Sequence, residues 1–386
     1  MAITDNMPEI SVNRKENHML ELRKKLSNYQ EVFYLLFLLP MTGMSSMGIN
    51  SDDRIYLYVF AVATLFLLLK MAVTDFTWRE ILIMGVFTAL LGANFLRNGE
   101  KTLILTAMGI FGAKNVNLDN VMKYALWEKA VLTVGTLTLA ATGVIENVAM
   151  SLPKNDVYVE IYCYGYYHPN MAFANIFMIL LLAIIVYGDK LKWYAYAIGT
   201  AIILVAYKIF VCRTGIVVWF MLCLMVLGYQ LMKCFCWEKK YMYLLSIIPI
   251  ALSAVTMVLP LIMRVSPEFK KWIDKLLTAR VNLINQVYDH IWNLALGHTP
   301  QKSFDSMYFH TIFNYGWIVF LLCLVVYVMG MRYCSKKGKY YGTIALAIMA
   351  VYGFMELLPL SVLWDLPLLY LTPVLFKGRK ETHEQL

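Results

Sequence analysis

Apolar runs without charged residues recur along the whole chain, and they constrain its fold more than any other feature. A helix that crosses the hydrocarbon core of a bilayer needs roughly 20 predominantly apolar residues. The run at 101–114 is the shortest, and a short or re-entrant segment is the alternative there. The pattern predicts an all-α, polytopic membrane protein with about 12 transmembrane helices, at 32–50, 55–73, 80–97, 101–114, 128–145, 171–188, 192–209, 213–232, 241–262, 308–330, 340–356 and 358–376.

The composition of the chain leads to the same class of protein. Hydrophobic residues make up 60% of its 386 residues, and charged residues make up only 15%. A soluble domain averages roughly 45–50% apolar and about 25% charged residues. A chain this apolar cannot hide its hydrophobic surface in one aqueous core, so the bilayer must be its solvent. No repeat, linker or low-complexity tract divides the sequence, which predicts a single integral membrane domain over 1–386.

The distribution of positive charge predicts which loops face the cytoplasm. With twelve spans and the N-terminus inside, the inner segments hold 22 of the 34 Lys and Arg residues, and the outer segments hold 12. Because cytoplasmic loops are enriched in Lys and Arg, both termini are expected to be cytoplasmic, with a polar N-terminal tail over 1–30. This distribution also accounts for the net charge of +9 without a nucleic-acid partner.

Two predicted outer segments, 146–170 and 264–306, are long enough to form structure of their own. The second segment joins the ninth and tenth spans. Within it, Ser266-Pro267 is typical of a helix start, and apolar residues then recur at helical spacing opposite lysines. The stretch 281–296 repeats this pattern. Two amphipathic helices are therefore predicted to lie over the outer membrane surface.

Candidate functional side chains stand at the outer ends of the spans. The sequence has no P-loop and no glycine fingerprint for dinucleotides, so an enzyme of this kind would use a substrate that is already activated and lipid-borne. Charges near membrane depth are costly and usually have a partner or a task. Arginine suits phosphate binding because its planar guanidinium group donates paired hydrogen bonds. The candidates are Arg213 at the eighth span, Arg280 between the loop helices, and Asp305, Tyr308 and His310 around the start of the tenth span.

Each candidate also has a purely structural interpretation, which the sequence leaves open. Arg213 could extend its side chain to the membrane surface without binding a substrate, and Arg280 could be a surface charge on an amphipathic helix. His310 could bond a neighbouring helix. Asp305 could cap the tenth span, and the 168–170 segment could cap the sixth.

Three stretches of the sequence resemble motifs of a known family. Residues 165–170 (GYYHPN) resemble a glycine followed by His-Pro-Asn at the start of a span. Residues 212–215 (CRTG) resemble a Ser-Arg-Thr-Gly start of a later span. The third stretch is the long loop with the start of the tenth span, namely Arg280, Gly297, DSMY (305–308) and YG (315–316). Together they are similar to the O-antigen and capsular polysaccharide polymerases, which are related to the O-antigen ligases.

The match to this family has two departures. Cys212 replaces the usual serine, and Ser306 replaces the asparagine of the family's Asp-Asn-x-Tyr. The resemblance implies a metal-independent, inverting glycosyltransferase of the bacterial plasma membrane, without a cofactor. It would join oligosaccharide repeat units carried on undecaprenyl diphosphate into a surface polysaccharide. The implied partners are this lipid-linked oligosaccharide, membrane lipid, and chain-length regulator and flippase proteins.

The resemblance also implies roles for the candidate side chains. Arg213 and Arg280 would neutralise the diphosphate leaving group in place of a metal ion. Asp305 would take the proton of the acceptor hydroxyl group, because it fills the position where the related ligases carry His, and His310 is the second choice. Tyr308, His168 and Asn170 would contact the substrate. The loop residues Trp272 and Trp292 could stack on sugars or pack.

Other functions compete with the polymerase. A ligase that moves finished glycan to another acceptor is the closest, and Asp rather than His at position 305 favours the polymerase. A flippase or other transporter would show matching halves and charges deep in the membrane, whereas most notable charges here lie at the predicted outer boundary, Asp365 excepted. A membrane glycosyltransferase that uses Asp52 and Asp53 as base or metal ligands is the remaining possibility.

Overall fold

The structure is a computed structural model that describes residues 21, 23, 25–154, 157–276 and 280–376, with the side chains of 152–157 and 274–283 outside that description. It is a bundle of helices with one small β hairpin. The helices are α1 (Gln30–Ser46), α2 (Arg54–Val73), α3 (Trp78–Asn98), α4 (Thr102–Gly112), α5 (Leu118–Ala141), α6 (Pro169–Tyr187), α7 (Trp193–Phe210), α8 (Arg213–Cys234), α9 (Glu238–Leu245), α10 (Ile248–Val265), α11 (Pro267–Leu276), α12 (Arg280–Val287), α13 (Met307–Lys336), α14 (Tyr340–Met355) and α15 (Thr372–Leu375).

Seven helical segments of the described chain are long and apolar enough to cross a membrane. They are Arg54–Val73, Trp78–Asn98, Pro169–Lys190, Trp193–Phe210, Arg213–Cys234, Glu238–Val265 and Met307–Lys336. Each one coincides with a predicted apolar run, because in hydrocarbon a helix is one of the few structures that satisfies all of its own backbone groups. The prediction of a helical membrane protein is confirmed at this level. Helices α4 and α14 are apolar but shorter.

Helix α5 begins ten residues before the predicted fifth span, which started at residue 128. Its start is fixed by Asn117, whose side chain accepts hydrogen bonds from the amides of Asp119 (3.1 Å) and Asn120 (3.4 Å). Such a cap satisfies helix amides that otherwise have no partner. Lys129, at the start of the predicted span, therefore lies about three turns inside the helix, since each turn holds roughly 3.6 residues.

The run at 358–376 is not one helix, in contrast to the predicted twelfth span. It forms short 3-10 helices at Leu358–Leu360 and Leu366–Leu371, followed by α15. Prolines at 359, 367 and 373 remove amide donors and interrupt helical bonding. The segment is largely buried, and Thr106 replaces part of the lost bonding: its hydroxyl donates to Leu360 O (2.9 Å) and accepts from Val362 N (3.1 Å). Irregular backbone at membrane depth is tolerated where protein surrounds it.

The segment 146–170 contains the hairpin, which the sequence did not predict. Strands β1 (Ala149–Lys154) and β2 (Val157–Tyr162) pair in antiparallel register from Ala149 opposite Tyr162 to Lys154 opposite Val157. The hairpin leads directly into the start of α6.

The loops gather at two ends of the bundle, which we name the basic end and the motif end. The basic end comprises the connections α2–α3, α4–α5, α6–α7, α8–α9 and α13–α14; the motif end comprises α1–α2, α3–α4, α5–α6, α7–α8, α10–α13 and the residues directly after α14. Contacts within the basic end include the ion pairs Arg23–Asp75 (2.8 Å), Lys114–Glu80 (2.6 Å), Lys233–Asp189 (2.8 Å) and Lys339–Asp119 (2.8 Å). At the motif end the Tyr166 hydroxyl donates to Ser46 O (2.6 Å), and Arg97 donates to Leu296 O (2.8 Å).

Candidate functional site at the motif end

The start of α6 carries the first motif. His168 is the residue before the helix, and its Nδ1 accepts a hydrogen bond from the Asn170 amide (3.1 Å), while Pro169 occupies the first helical position. The cap is therefore the histidine side chain. The Asn170 side chain points away from the helix and donates to Glu356 Oε1 (3.3 Å), directly after α14.

The start of α8 carries the second motif. Arg213 is the first residue of the helix, and its side chain is half-buried. Two residues later, Gly215 packs so closely on the Phe173 ring that a Cβ atom there would overlap it. Phe173 lies one turn into α6 from Asn170. The glycine thus holds the start of α8, with Arg213, against the start of α6.

The start of α13 carries the third motif. Tyr308 is buried, and its hydroxyl donates to Ala350 O on α14 (3.0 Å), so the ring packs in the core. Met307 fills the space beside Gly353. Asp305 is exposed, although its neighbours Phe304 and Ser306 are only 4% and 8% exposed.

Helix α14 contacts the motifs of α6 and α13 directly, and the start of α8 packs on α6. The last turns of α14 contact the start of α13 through Ala350 and Gly353, and Glu356 after its end binds Asn170. Its Tyr352 ring packs edge-on against Phe177 of α6 (5.6 Å between centroids). The structure therefore brings His168, Asn170, Arg213, Asp305 and Tyr308 to one end of the bundle.

The other predicted residues have different surroundings. Arg280 is the first residue of α12, and its side chain lies outside the described part of the chain. Trp272 is 60% exposed, while Trp292 stacks on Trp317 (5.7 Å). Asp53 accepts from the Asn50 amide (2.8 Å) in the short α1–α2 loop.

His310 lies one turn into α13 and is 2% exposed. Its Nε2 is 3.4 Å from Glu100 Oε2, in the turn between α3 and α4. Burial by itself disfavours an ionised Glu100, but hydrogen bonds from His310 and Thr102 more than offset this and lower its pKa to about 2. Glu100 was missed in the sequence, where it is simply one of three charges between apolar runs, with Arg97 and Lys101. Thr102, two residues on, is the only hint of a local hydrogen bond.

The helix α13 is broken at Gly316, one residue after the motif's tyrosine. Gly316 has φ 86° and ψ 170°, a conformation that is essentially restricted to glycine. The loop segment around Gly297 (φ 78°) fits into this break, because a Cβ atom at either glycine would overlap backbone of the other segment. Three backbone bonds join them: His298 N to Phe313 O (2.7 Å), Trp317 N to Leu294 O (3.0 Å) and Ile318 N to Ala295 O (3.5 Å).

Helix α3 satisfies the remaining carbonyl groups at this break. Asn98 Nδ2 donates to Asn314 O (2.6 Å), and Asn94 Nδ2 donates to Tyr315 O (3.4 Å). The backbone groups freed by Gly316 are thereby paired with side chains or with the loop, as buried polar groups require. The loop is fixed relative to the start of α13.

Below the motif end, a polar centre surrounds Lys129 of α5. Lys129 is fully buried, and its ammonium group lies 3.3 Å from the hydroxyls of Ser45 and Ser46 and 3.2 Å from Asn175 Oδ1. The Trp364 ring packs over it at 5.7 Å. A buried charge is costly unless it is hydrogen-bonded, as this one is. Lys129 is a second exception, beside Asp365, to the expectation that most notable charges lie at the outer boundary, and it lies deep because α5 begins ten residues before the predicted span.

Asp365 is the second deep charge. It is fully buried, and neither of its carboxyl oxygens has a hydrogen-bond partner among the described residues. It lies between the two 3-10 helices of the broken segment. The interior of the bundle next to the motif end therefore contains the polar side chains of Lys129 and Asp365.

An apolar cavity of about 110 Å³ lies beside the start of α13. Its wall includes Met307 and Tyr308 of the motif, and otherwise it is lined mainly by aliphatic and aromatic side chains of α3, α4, α13 and the 359–375 segment. The start of α13 thus borders the polar residues of the motif end on one side and this apolar cavity on the other. Among the described residues, no group of three or more His, Cys, Asp or Glu side chains is placed to hold a metal ion.

Comparisons of this chain with protein-family models, curated proteins and solved structures found no match.

Proposed function

We propose that the chain is a polymerase that joins undecaprenyl-diphosphate-linked oligosaccharide repeat units into a surface polysaccharide, at the motif end of the bundle. The single observation that carries this proposal is the presence of three separate motifs, from α6, α8 and α13, at one end of the bundle, where the α6 motif contacts the end of α14 and the start of α8 packs on α6. These motifs are far apart in sequence, and nothing in their hydrophobic pattern requires them to meet. Their meeting point borders both water-exposed polar groups and apolar interior, as a lipid-borne sugar donor requires.

In the proposed reaction an acceptor hydroxyl oxygen attacks the anomeric carbon of the donor sugar. The new glycosidic bond forms as the bond to the diphosphate breaks, and undecaprenyl diphosphate leaves with the electron pair. Arg213 and Arg280 neutralise the charge that develops on the diphosphate. Asp305, the exposed carboxylate at the start of α13, takes the hydroxyl proton. Direct attack inverts the anomeric centre.

The first test of this proposal replaces its charged groups. Arg213→Ala and Asp305→Asn should each abolish chain growth while protein level and single lipid-linked units persist, a loss of at least about 10²-fold. Arg213→Lys should rescue poorly, because an ammonium group does not reproduce the paired donors of guanidinium. The measurement is the length distribution of the surface glycan on gels, in cells that lack the native gene and carry each variant.

Two exposed residues of the same end are matched controls. Asp52→Asn and Arg54→Ala make the same chemical changes in the α1–α2 connection and at the start of α2. They should leave the polymer unchanged; loss of polymer in Asp52→Asn alone would point instead to chemistry in the α1–α2 loop. Full-length polymer in both Arg213→Ala and Asp305→Asn would refute the proposal.

A transporter of lipid-linked sugar is the second candidate, and the buried Lys129 and Asp365 favour it together with the broken segment 358–375. Interrupted helices with deep charges commonly form transport sites. Deletion of the gene separates the two candidates. A polymerase deletion leaves glycans of one repeat unit at the cell surface, whereas a flippase deletion leaves lipid-linked units on the cytoplasmic leaflet.

A further inference from the structure

Glu100, His310 and Asn314 form a buried group of side chains beside Asp305, which we name the Glu100 cluster. His310 and Asn314 are one turn apart on α13, and Glu100 approaches from the turn between α3 and α4. The side chains of His310 and Glu100 are 3% and 12% exposed, and Asn314 is fully buried. Because His310 is enclosed by protein groups, it does not offer a ring nitrogen to a substrate in this structure.

The hydrogen bonds of the cluster indicate the tautomer of His310. Glu100 Oε1 accepts from the amide (3.1 Å) and hydroxyl (2.7 Å) of Thr102, so Oε2 is the oxygen that faces His310 Nε2. An ionised carboxylate only accepts hydrogen bonds. The Nε2 atom therefore carries the hydrogen and donates it to Glu100.

The opposite nitrogen must then accept. The Phe304 amide lies 3.5 Å from His310 Nδ1, and the Asn314 Nδ2 atom lies 3.2 Å from it and 3.3 Å from Nε2. Since Nε2 is committed to Glu100, both of these donors are assigned to Nδ1, which a neutral imidazole with hydrogen on Nε2 allows. Asn314 also exchanges two bonds with the backbone of Lys302, accepting at 3.0 Å and donating at 2.7 Å.

These bonds hold the backbone that leads into Asp305. Lys302 and Phe304 are bound through their main chain, and the Phe304 ring packs against Phe309 (4.9 Å) and Phe313 (5.0 Å). Ser306, after Asp305, accepts the first helical bond from the His310 amide (2.9 Å). Asp305 is thus an exposed side chain on a backbone that is anchored on both sides.

We propose that Glu100 is a positioning residue: through the tautomer of His310 it holds the 302–306 backbone in the geometry that presents Asp305 to the acceptor. This inference rests on the proposed function, in which Asp305 takes the proton. A displacement of about 1 Å at a catalytic group can cost 10²-fold in rate.

The tautomer is tested directly by nitrogen-15 NMR of the full-length protein in lipid nanodiscs. The sequence has six histidines, and His310 is identified by the signals that vanish in His310→Gln. In the wild type, we expect hydrogen on Nε2. In Glu100→Gln, the amide oxygen stays with Thr102 and the amide NH₂ faces Nε2, so hydrogen on Nε2 loses its acceptor. We expect a mixture in which part of the population carries hydrogen on Nδ1 and displaces the Phe304 and Asn314 donors. The same tautomer in both proteins overturns the proposal.

The consequence for Asp305 is tested by hydrogen exchange and chain growth. In Glu100→Gln the amides of Lys302 and Phe304 should exchange at least tenfold faster, and the rate of polymer growth should fall at least tenfold, with an unchanged half-saturating concentration of the lipid-linked donor. Thr102→Val removes one hydrogen bond to Glu100 and keeps its charge, so it should give a smaller change in the same direction. Glu160→Gln, on an exposed carboxylate of β2, is the control and should change neither.

The outcomes separate this inference from the proposed function. If Asp305→Asn abolishes polymer growth but Glu100→Gln leaves exchange and growth as in the wild type, only the positioning role is wrong. If Glu100→Gln changes the tautomer and the exchange rates while Asp305→Asn polymerises normally, the cluster merely holds the loop, and the role given to Asp305 fails.

Discussion

At the scale of single residues, burial distinguishes the two candidate bases. Asp305 is exposed between two buried neighbours, whereas His310 is 2% exposed and faces protein groups with both nitrogens. A general base must come within hydrogen-bond reach of the proton it removes. The geometry therefore favours Asp305 as the base and gives His310 a supporting position.

The lowered pKa of Glu100 predicts that the stability of the folded protein depends on pH. Its pKa in the folded protein is about 2, below the ordinary value of 4.5, because His310 and Thr102 bind the ionised form. In the unfolded chain the Glu100 carboxylate therefore binds a proton more readily than in the folded protein. The stabilisation of the folded state by ionised Glu100 is fully present above pH 4.5 and is lost as the pH falls towards 2.

The measurement is the difference in unfolding free energy between the wild type and Glu100→Gln in detergent, followed from pH 7 down to pH 3. We expect the wild type to be more stable at pH 7 and the difference to shrink below pH 4.5. Glu160→Gln serves as the exposed control. A difference that stays constant over this range would show that the Glu100 carboxylate is not bound as described.

At the scale of elements, the interruption of α13 is what connects the long loop to the bundle. A continuous helix would use the Phe313, Asn314 and Tyr315 carbonyls internally. The left-handed backbone at Gly316 releases them to the loop and to asparagines of α3. The YG pair of the third motif thus has a backbone role: it lets an extended segment pack against a helix without a Cβ atom between them.

We predict that Gly316→Ala and Gly297→Ala each destabilise the protein by about 2 kcal/mol or more. Both positions have positive φ, and an added Cβ atom overlaps neighbouring backbone that has little freedom to shift. Thermal unfolding in detergent measures the effect.

Gly135→Ala on α5 is the control, because no atom lies within 4 Å of the added Cβ. It should be neutral or stabilise by up to about 1 kcal/mol, since alanine favours helix. Equal behaviour of all three variants would mean that the loop does not pack into the break.

At the scale of the whole molecule, the predicted alternation of spans assigns each loop to one side of the membrane. Loops assigned to the same side contact one another at the same end of the bundle. The basic end is joined by ion pairs such as Lys339–Asp119, and the motif end by hydrogen bonds such as Asn170 to Glu356. The excess of Lys and Arg at the basic end predicts that this end faces the cytoplasm.

Labelling of cysteines tests this orientation. Cys234 and Cys236 are exposed at the basic end, whereas Asp52→Cys adds an exposed thiol at the motif end. In intact cells a membrane-impermeant maleimide should label Asp52→Cys and leave the wild type unlabelled, and inverted vesicles should reverse the result for Cys234 and Cys236. Solubilised protein, in which both ends are accessible, is the control. Labelling of the wild type in intact cells would place the motif end in the cytoplasm.

The hydrophobic pattern alone determined that the protein is a helical membrane protein, and it located most helices to within a few residues. This works because in hydrocarbon each helix satisfies its own backbone, so the decision is local. The positions of three motifs at the predicted outer ends of spans were likewise visible in the sequence, since each stands at the boundary of an apolar run.

Only the tertiary structure decided which polar groups meet. In the sequence, Lys129 stands at the start of an apolar run, where a charged residue is typical of a span boundary. It is nevertheless buried, because Ser45, Ser46 and Asn175 from other helices bind it. The 358–376 run is apolar enough for a helix, but prolines and the Thr106 hydroxyl favour a broken backbone enclosed by protein. Glu100 and His310 are about 200 residues apart, and no periodicity relates them; their contact follows from helix packing, which depends on the whole chain at once.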